Sequence, residues 1–368
     1  MSKLKVMTIV GTRPEIIRLS EIIHLFNQEF NHLLVHTGQN WDYSLNEVFF
    51  KDLLLPSPHY ILNCVGENLG ATMGNIIHES YNLLQKEHPD ALLILGDTNS
   101  ALSAIAAKRL KIPIFHMEAG NRCFDENVPE ETNRRIVDHI SDINLPYTEH
   151  ARRNLIAEGL KSQYIYVTGS PLPEVFKKHI KTIKTSTILD DLKLTPKKYF
   201  LVSAHREENI DIEDHFISLM TALNQVADSY KLPIIFSTHP RTKNIIAKHQ
   251  FKFHPLIQNV TPFGFIDYNK LQQEAFCVLS DSGTLSEESS LLHFPAVSIR
   301  TSTERPEGLD KGSMILGGIN THSIFNAINL ACNLSGKNTF TPPIDYVDTN
   351  VSTKVAQIIQ SYAPLIRK

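Results

Sequence analysis

Short apolar runs rich in β-branched residues alternate along this chain with longer amphipathic stretches. The runs predict strands at residues 6–10, 33–36, 92–95, 114–117 and 164–167, and helical spacing predicts helices at 14–27, 69–87 and 100–111. A second series follows, with strands at 199–203, 234–237, 277–280 and 296–299 and helices at 212–230 and 284–293. Strands alternating with helices predict an α/β protein whose parallel sheets are covered on both faces. A Lys- and Thr-rich stretch of weak periodicity, 178–197, separates the two series, and the Gly-Ser-Pro-Leu-Pro turn at 169–173 marks the domain junction. The last segment, 350–367, carries apolar residues at helical spacing. There is no internal repeat or low-complexity tract.

A length of 368 residues suits two domains better than one core. With 42% hydrophobic and 20% charged residues, the chain falls in the globular range. Its formal net charge of -3 lacks the basic excess of a nucleic-acid binder. No stretch approaches the roughly 18 apolar residues of a membrane span. The N-terminus, MSKLKVMTIVGTRPE, is basic and then apolar, like a short signal peptide. Its apolar run passes straight into a polar turn with no small-residue cleavage site, so it reads as the buried first strand of a cytoplasmic protein. Cys64, Cys123, Cys277 and Cys332 are widely spaced, which argues against a zinc site or a disulfide framework.

Open α/β sheets bind ligands beyond the carboxyl ends of their strands. After the first strand, Gly-Thr-Arg-Pro-Glu puts Arg13 at a helix N-terminus, where anions are favoured. The plainer reading, a surface arginine beside a cap, is equally open there. Asp97 ends the next clear strand, Glu118 the one after it, and Glu130 sits in the first turn of a helix opened by Pro129. Each carboxylate alone could be a cap or a partner for a helix dipole. Three on neighbouring loops suggest a converging acid/base set, since crowded carboxylates shift one another's pKa. The second series adds His205 and Arg206 after its first strand. Ser282, Gly283 and Thr284 open a helix where small residues admit a phosphate, and Glu288 lies further along it. Glu304 and Arg305 follow the next strand in Thr-Ser-Thr-Glu-Arg-Pro-Glu.

GTRPE, LGDTNS, HMEAGNR followed by PEETNR, SAHREEN, SDSGTLSEE and TSTERPE stand in this order between about residues 6 and 318. In that set and order the chain resembles the non-hydrolysing UDP-N-acetylglucosamine 2-epimerase family. The resemblance implies the GT-B fold, with two Rossmann-like domains facing across a cleft. Residues 1–170 would form the first, with the helix at 350–368 packing back on it, and 171–349 the second, UDP-binding one. It implies that UDP leaves C1 while the C2 proton is removed, and that re-addition to the resulting 2-acetamidoglycal delivers hydrogen to the opposite face. By motif position Asp97, Glu118 and Glu130 match the acid/base carboxylates, and His205 and Arg13 match diphosphate-side groups. Ser282, Gly283 and Thr284 match the phosphate-binding helix start, Glu288 the ribose contact, and Arg18 and Arg305 further substrate contacts. No metal or other cofactor is implied, and the expected assembly is a homodimer.

Three departures bear on the substrate. Arg18 stands where lysine is usual, and the two differ in reach and fork geometry. Thr284 replaces a second glycine. The segments TGQNWDYSLNEVFF, EAGNRCFDENVPEE and GFIDYNKLQ look closer to the branch that epimerises UDP-2-acetamido-2,6-dideoxy-L-talose to UDP-N-acetyl-L-fucosamine, a capsule or O-antigen precursor. Gln39 and His239 occupy positions comparable to a regulatory substrate site in the UDP-N-acetylglucosamine branch, but their surroundings differ and no regulation is carried over. The alternatives are a GT-B glycosyltransferase, which needs an acceptor pocket and no carboxylate trio, and a hydrolysing epimerase that releases UDP. A non-catalytic sugar-nucleotide binder is a further class, against which the intact Asp97, Glu118, Glu130 and His205 argue.

Overall fold

The computed structural model describes residues 3–38, 47–335 and 341–366. The chain divides into two compact units, Met1–Lys178 with Ile344–Lys368, and His179–Pro343. The first holds β1 (Lys5–Val10), β2 (Asn31–His36), β3 (Tyr60–Ile61), β4 (Ala91–Leu95), β5 (Ile114–Met117) and β6 (Ile143–Leu145). The second holds β7 (Phe200–Ser203), β8 (Ile234–Ser237), β9 (Ile257–Val260), β10 (Cys277–Ser280), β11 (Ala296–Ser298) and β12 (Ile315–Leu316).

Both sheets are parallel and share one order, β3-β2-β1-β4-β5-β6 and β12-β11-β10-β7-β8-β9. Each sheet reverses direction once, between β1 and β4 in the first and between β7 and β10 in the second. That switch point is where such sheets bind ligands, because the loops leaving the two central strands diverge to opposite faces and leave a crevice.

Side chains alternate across the second sheet, so one strand feeds two cores. Phe200, Val202, Ile234, Phe236, Cys277 and Leu279 pack on one face with Leu219, Leu223 and Ile328. Leu201, Ile235 and Val278 face the other way, against Leu271, Leu285 and Phe294. Continuous apolar runs are the signature of strands buried on both faces. In the first unit, Met7, Ile9, Leu92, Ile94 and Ile114 pack on Leu83, Leu84 and Ala104 from helices Leu69–Glu87 and Ser103–Arg109. The terminal helix Val351–Ile366 packs on helix Arg13–Glu29 of the same unit.

Three local expectations differ from the structure. Residues 164–167 do not form a strand. Ser162–Tyr164 is a 3-10 turn, and the extended backbone after it makes one isolated bridge, Asn144 to Ile165, beside β6. The weakly periodic stretch at 178–197 contains the end of helix Leu172–Thr185 and the turn Ile188–Asp191, and the division between units falls inside that helix. Strands β3, β6, β9 and β12 were not legible as apolar runs, being two to four residues long and, in β9, exposed at Gln258 and Asn259. Among the described residues no helix is long and apolar enough to cross a membrane.

Candidate active site

In the first unit, the loop after β1 is organised by Glu15. Its Oε2 accepts the Gly11 and Thr12 N–H groups at 3.0 and 2.7 Å and the Thr12 hydroxyl at 2.8 Å, closing a capping box on helix Arg13–Glu29. Ser100, beyond β4, donates to the other oxygen, so one carboxylate ties the two loops at the switch point. Burial raises the Glu15 pKa, and the hydrogen bonds it accepts oppose that rise. Arg13 opens the helix half-buried, its guanidinium 5.8 Å above the Phe49 ring. Arg18, one and a half turns on, is buried, with Nη1 2.5 Å from Glu118 Oε2 and the guanidinium over Tyr147. The residue singled out as a substrate contact is thus also the ion-pair partner of a candidate catalytic carboxylate.

Asp97 and Glu118 leave neighbouring strands side by side, since Leu95 of β4 is in register with Met117 of β5. Glu118 is held at φ 63°, a left-handed conformation that costs a glutamate energy and persists only where surroundings enforce it. Its N–H donates to Leu145 O at 3.1 Å, and Asn121 Nδ2 reaches its Oε1 at 3.4 Å. Beneath it lies a cluster that sequence reasoning missed. The fully buried Asp138 accepts the Gly120 N–H at 3.2 Å and pairs with Arg122 at 2.8 Å. It also lies 2.9 Å from His116 Nδ1, while His116 Nε2 donates to Gly96 O at 2.8 Å. Gly120 has no choice of residue: φ is 81° and a Cβ would stand 2.3 Å from Ala151 O.

Helix Pro129–Ile140 brings its second turn to Asp97. Arg134 donates to Asp97 Oδ2 through Nε at 3.0 Å and through Nη2, and Asn133 Nδ2 donates to Asp97 O at 2.9 Å. The two adjacent glutamates part company. Glu131 is buried and accepts the Cys123 N–H at 3.2 Å and Arg134 Nη1 at 2.9 Å, whereas Glu130 is half-buried at the second helical position. Glu131 therefore anchors the loop. The signal for Arg134 was present, because it stands one helical turn beyond Glu130. The Cys123 thiol is pushed up by burial, opposite to what a nucleophile needs.

In the second unit, Asp281 directly follows β10, with its carboxylate fully buried. Oδ2 accepts the His205 and Arg206 N–H groups, both at 2.9 Å, and Asn209 Nδ2 at 3.2 Å, while Oδ1 lies 3.2 Å from His205 Nδ1. The half-exposed His205 ring sits 6.4 Å from that of His239, which caps helix Pro240–His249. The helix expected at residue 284 begins at Leu285, and Ser282–Thr284 form the turn before it, with Ser282 and Thr284 hydroxyls bonded at 2.9 Å. Gly283 has a neighbour no motif foretold, because a Cβ there would meet Glu304 Oε1 at 2.3 Å. That buried carboxylate bridges Arg206 Nη2 at 3.2 Å and Arg300 Nη1 at 2.6 Å. Glu288, four residues into the helix, accepts Gln272 Nε2 at 2.6 Å. Arg305 is buried, 3.2 Å from Glu287 and 3.9 Å from Glu307. Gln39, with residues 39–46, lies outside the described residues. Among the described residues no group of three or more His, Cys, Asp or Glu is placed to hold a metal ion.

The UDP-N-acetylglucosamine 2-epimerase family model matches residues 25–360. The structure of a UDP-N-acetylglucosamine 2-epimerase from Rickettsia bellii is 47% identical, with TM-score 0.91, and the match covers 99% of this chain and 98% of that one. The Methanocaldococcus jannaschii UDP-GlcNAc 2-epimerase, solved in complex with UDP-GlcNAc and UDP, is 32% identical with TM-score 0.91, covering 97% of this chain and 99% of that one. A Pseudomonas aeruginosa UDP-2,3-diacetamido-2,3-dideoxy-D-glucuronate 2-epimerase is 32% identical over 86% of this chain and 88% of its own length. With the family model matched over residues 25–360 and these relatives aligned over most of the chain, the chain belongs to the UDP-N-acetylglucosamine 2-epimerase family of isomerases.

Proposed function

We propose that this enzyme inverts C2 of a UDP-2-acetamido sugar by eliminating UDP and re-adding it to an enzyme-held 2-acetamidoglycal. The observation that carries the reading is the carboxylate arrangement in the first unit. Asp97 and Glu118 leave adjacent strands, each engaged by an arginine, and Glu130 lies in the first turn of the helix whose Arg134 grips Asp97. Such a set can exchange protons at carbon. The second unit supplies His205 and the Ser282–Thr284 turn for the diphosphate, where departing charge must be stabilised, and Glu288 for the ribose. Arg13 and Arg305 are carried as further substrate contacts.

For the sugar we favour UDP-2-acetamido-2,6-dideoxy-L-talose, giving UDP-N-acetyl-L-fucosamine for capsule or O-antigen synthesis, with Arg18 and Thr284 as the supporting departures. UDP-GlcNAc is the second reading, favoured by the names of the 47% and 32% identical relatives. A cytoplasmic homodimer is part of the proposal. Incubation with each nucleotide in deuterated water, without an acceptor, separates the readings. The proposal expects deuterium at C2 of an intact UDP-sugar. Exchange with UDP-GlcNAc alone would overturn the L-talo preference, loss of UDP would indicate hydrolysis, and no exchange with either would sink the proposal.

A further inference from the structure

We propose that Asp281 is the positioning residue for His205, facing Nδ1–H so that the ring can carry a second proton on Nε2, give it to the departing diphosphate and take it back on re-addition. The proposal rests on the role given to His205 above. Asp281 has no exposed surface, and its backbone N–H continues the sheet by donating to Ser203 O at 3.1 Å. Three donors converge on Oδ2: the His205 and Arg206 N–H groups and the Asn209 amide. They hold the carboxylate in one rotation, which leaves Oδ1 3.2 Å from His205 Nδ1. A carboxylate oxygen can only accept there, so the imidazole presents Nδ1–H to it. The contact is at ion-pair distance but is not aligned as a hydrogen bond, as catalytic pairs often are not before substrate binds. Among the described residues, Arg206, next in sequence, and His239, with ring centres 6.4 Å apart, are further charged or titratable neighbours of the ring. Neither can act as the acceptor a carboxylate provides for Nδ1–H while holding the loop's backbone.

The same geometry determines what an amide does in this place. In Asp281→Asn the three donors keep the new carbonyl oxygen at the Oδ2 position, which turns the NH2 group toward Nδ1. The ring must then accept at Nδ1 and carry its proton on Nε2. The loop keeps its three hydrogen bonds, while the ring loses the carboxylate that supports its doubly protonated form, so Nε2 can still donate a hydrogen bond but cannot give its proton to the departing diphosphate. A carboxylate that served only to hold the loop would be replaced by asparagine without consequence.

The test is 15N NMR of histidine-labelled enzyme, with the His205 signals identified by their loss in His205→Asn, run beside steady-state kinetics. The neutral wild-type ring is expected as the Nδ1–H tautomer and the Asp281→Asn ring as Nε2–H. Turnover should fall by at least ~100-fold, the scale of acid–base catalysis, with KM within about threefold, since binding contacts stay in place. An Nε2–H ring in the wild type overturns the proposal even if the variant fails to fold. Retained turnover in a folded Asp281→Asn, or an unchanged tautomer, also overturns it. If no UDP-sugar is epimerised the reaction assignment fails, while the tautomer still reports on Asp281.

Discussion

Replacing Gly283 with alanine distinguishes two jobs for that glycine, letting a phosphate approach the turn or making room for Glu304. The Gly283 φ is outside the left-handed region, so alanine incurs no backbone strain there. Its methyl would stand 2.3 Å from Glu304 Oε1, where ordinary contact begins at 3.4 Å. Glu304 is a flexible side chain in principle, but here it is buried and gripped by Arg300 at 2.6 Å and Arg206 at 3.2 Å. A retreat of about 1 Å breaks the Arg206 contact, and a hydrogen bond to a charged group is worth about 1.5–3 kcal/mol. If the loss falls on the binding-competent loop, the Kd for UDP rises roughly ten- to hundredfold, every 1.4 kcal/mol being tenfold. Isothermal titration with UDP reads this directly. Glu304→Asp, one methylene shorter, should absorb most of the penalty when combined with Gly283→Ala. Unchanged affinity in Gly283→Ala would refute the reasoning. An equal penalty in the Glu304→Asp background would return the glycine to the phosphate.

Asp97→Asn and Glu118→Gln should each cut epimerase turnover by at least ~100-fold while the fold is retained, and near-wild-type turnover in both would remove the carboxylates from the mechanism. His32 makes acid stability predictable. It lies between Asn27 Oδ1 at 2.7 Å and Thr8 Oγ1 at 2.9 Å, and burial lowers its pKa from 6.5 to about 3. The unfolded chain therefore takes up a proton that the folded chain refuses, so its contribution is intact above pH 6.5 and is lost as pH falls toward about 3. Urea unfolding followed by circular dichroism should show a shallower acid slope for His32→Gln than for the wild type, and parallel slopes would contradict this.

The strands buried on both faces could be read directly from sequence. Residues 114–117, 234–237 and 277–280 have the bounds of β5, β8 and β10, because a short segment with three apolar residues in four has few other ways to avoid water. The strand-end motifs followed from this, since a loop after a central parallel strand opens at the switch point. The edge strands did not, being too short to carry a pattern, as with the two residues of β3 and of β12.

What each site residue touches belongs to the tertiary structure. Arg18 meets Glu118 across a sequence separation of 100. Asp281 gathers a loop 75 residues before it, and Glu304 fills the space beside Gly283. Local periodicity reports which face of an element avoids water. It has no means of encoding which loops from distant strands are brought together, and in a parallel sheet that is decided by the order of the strands.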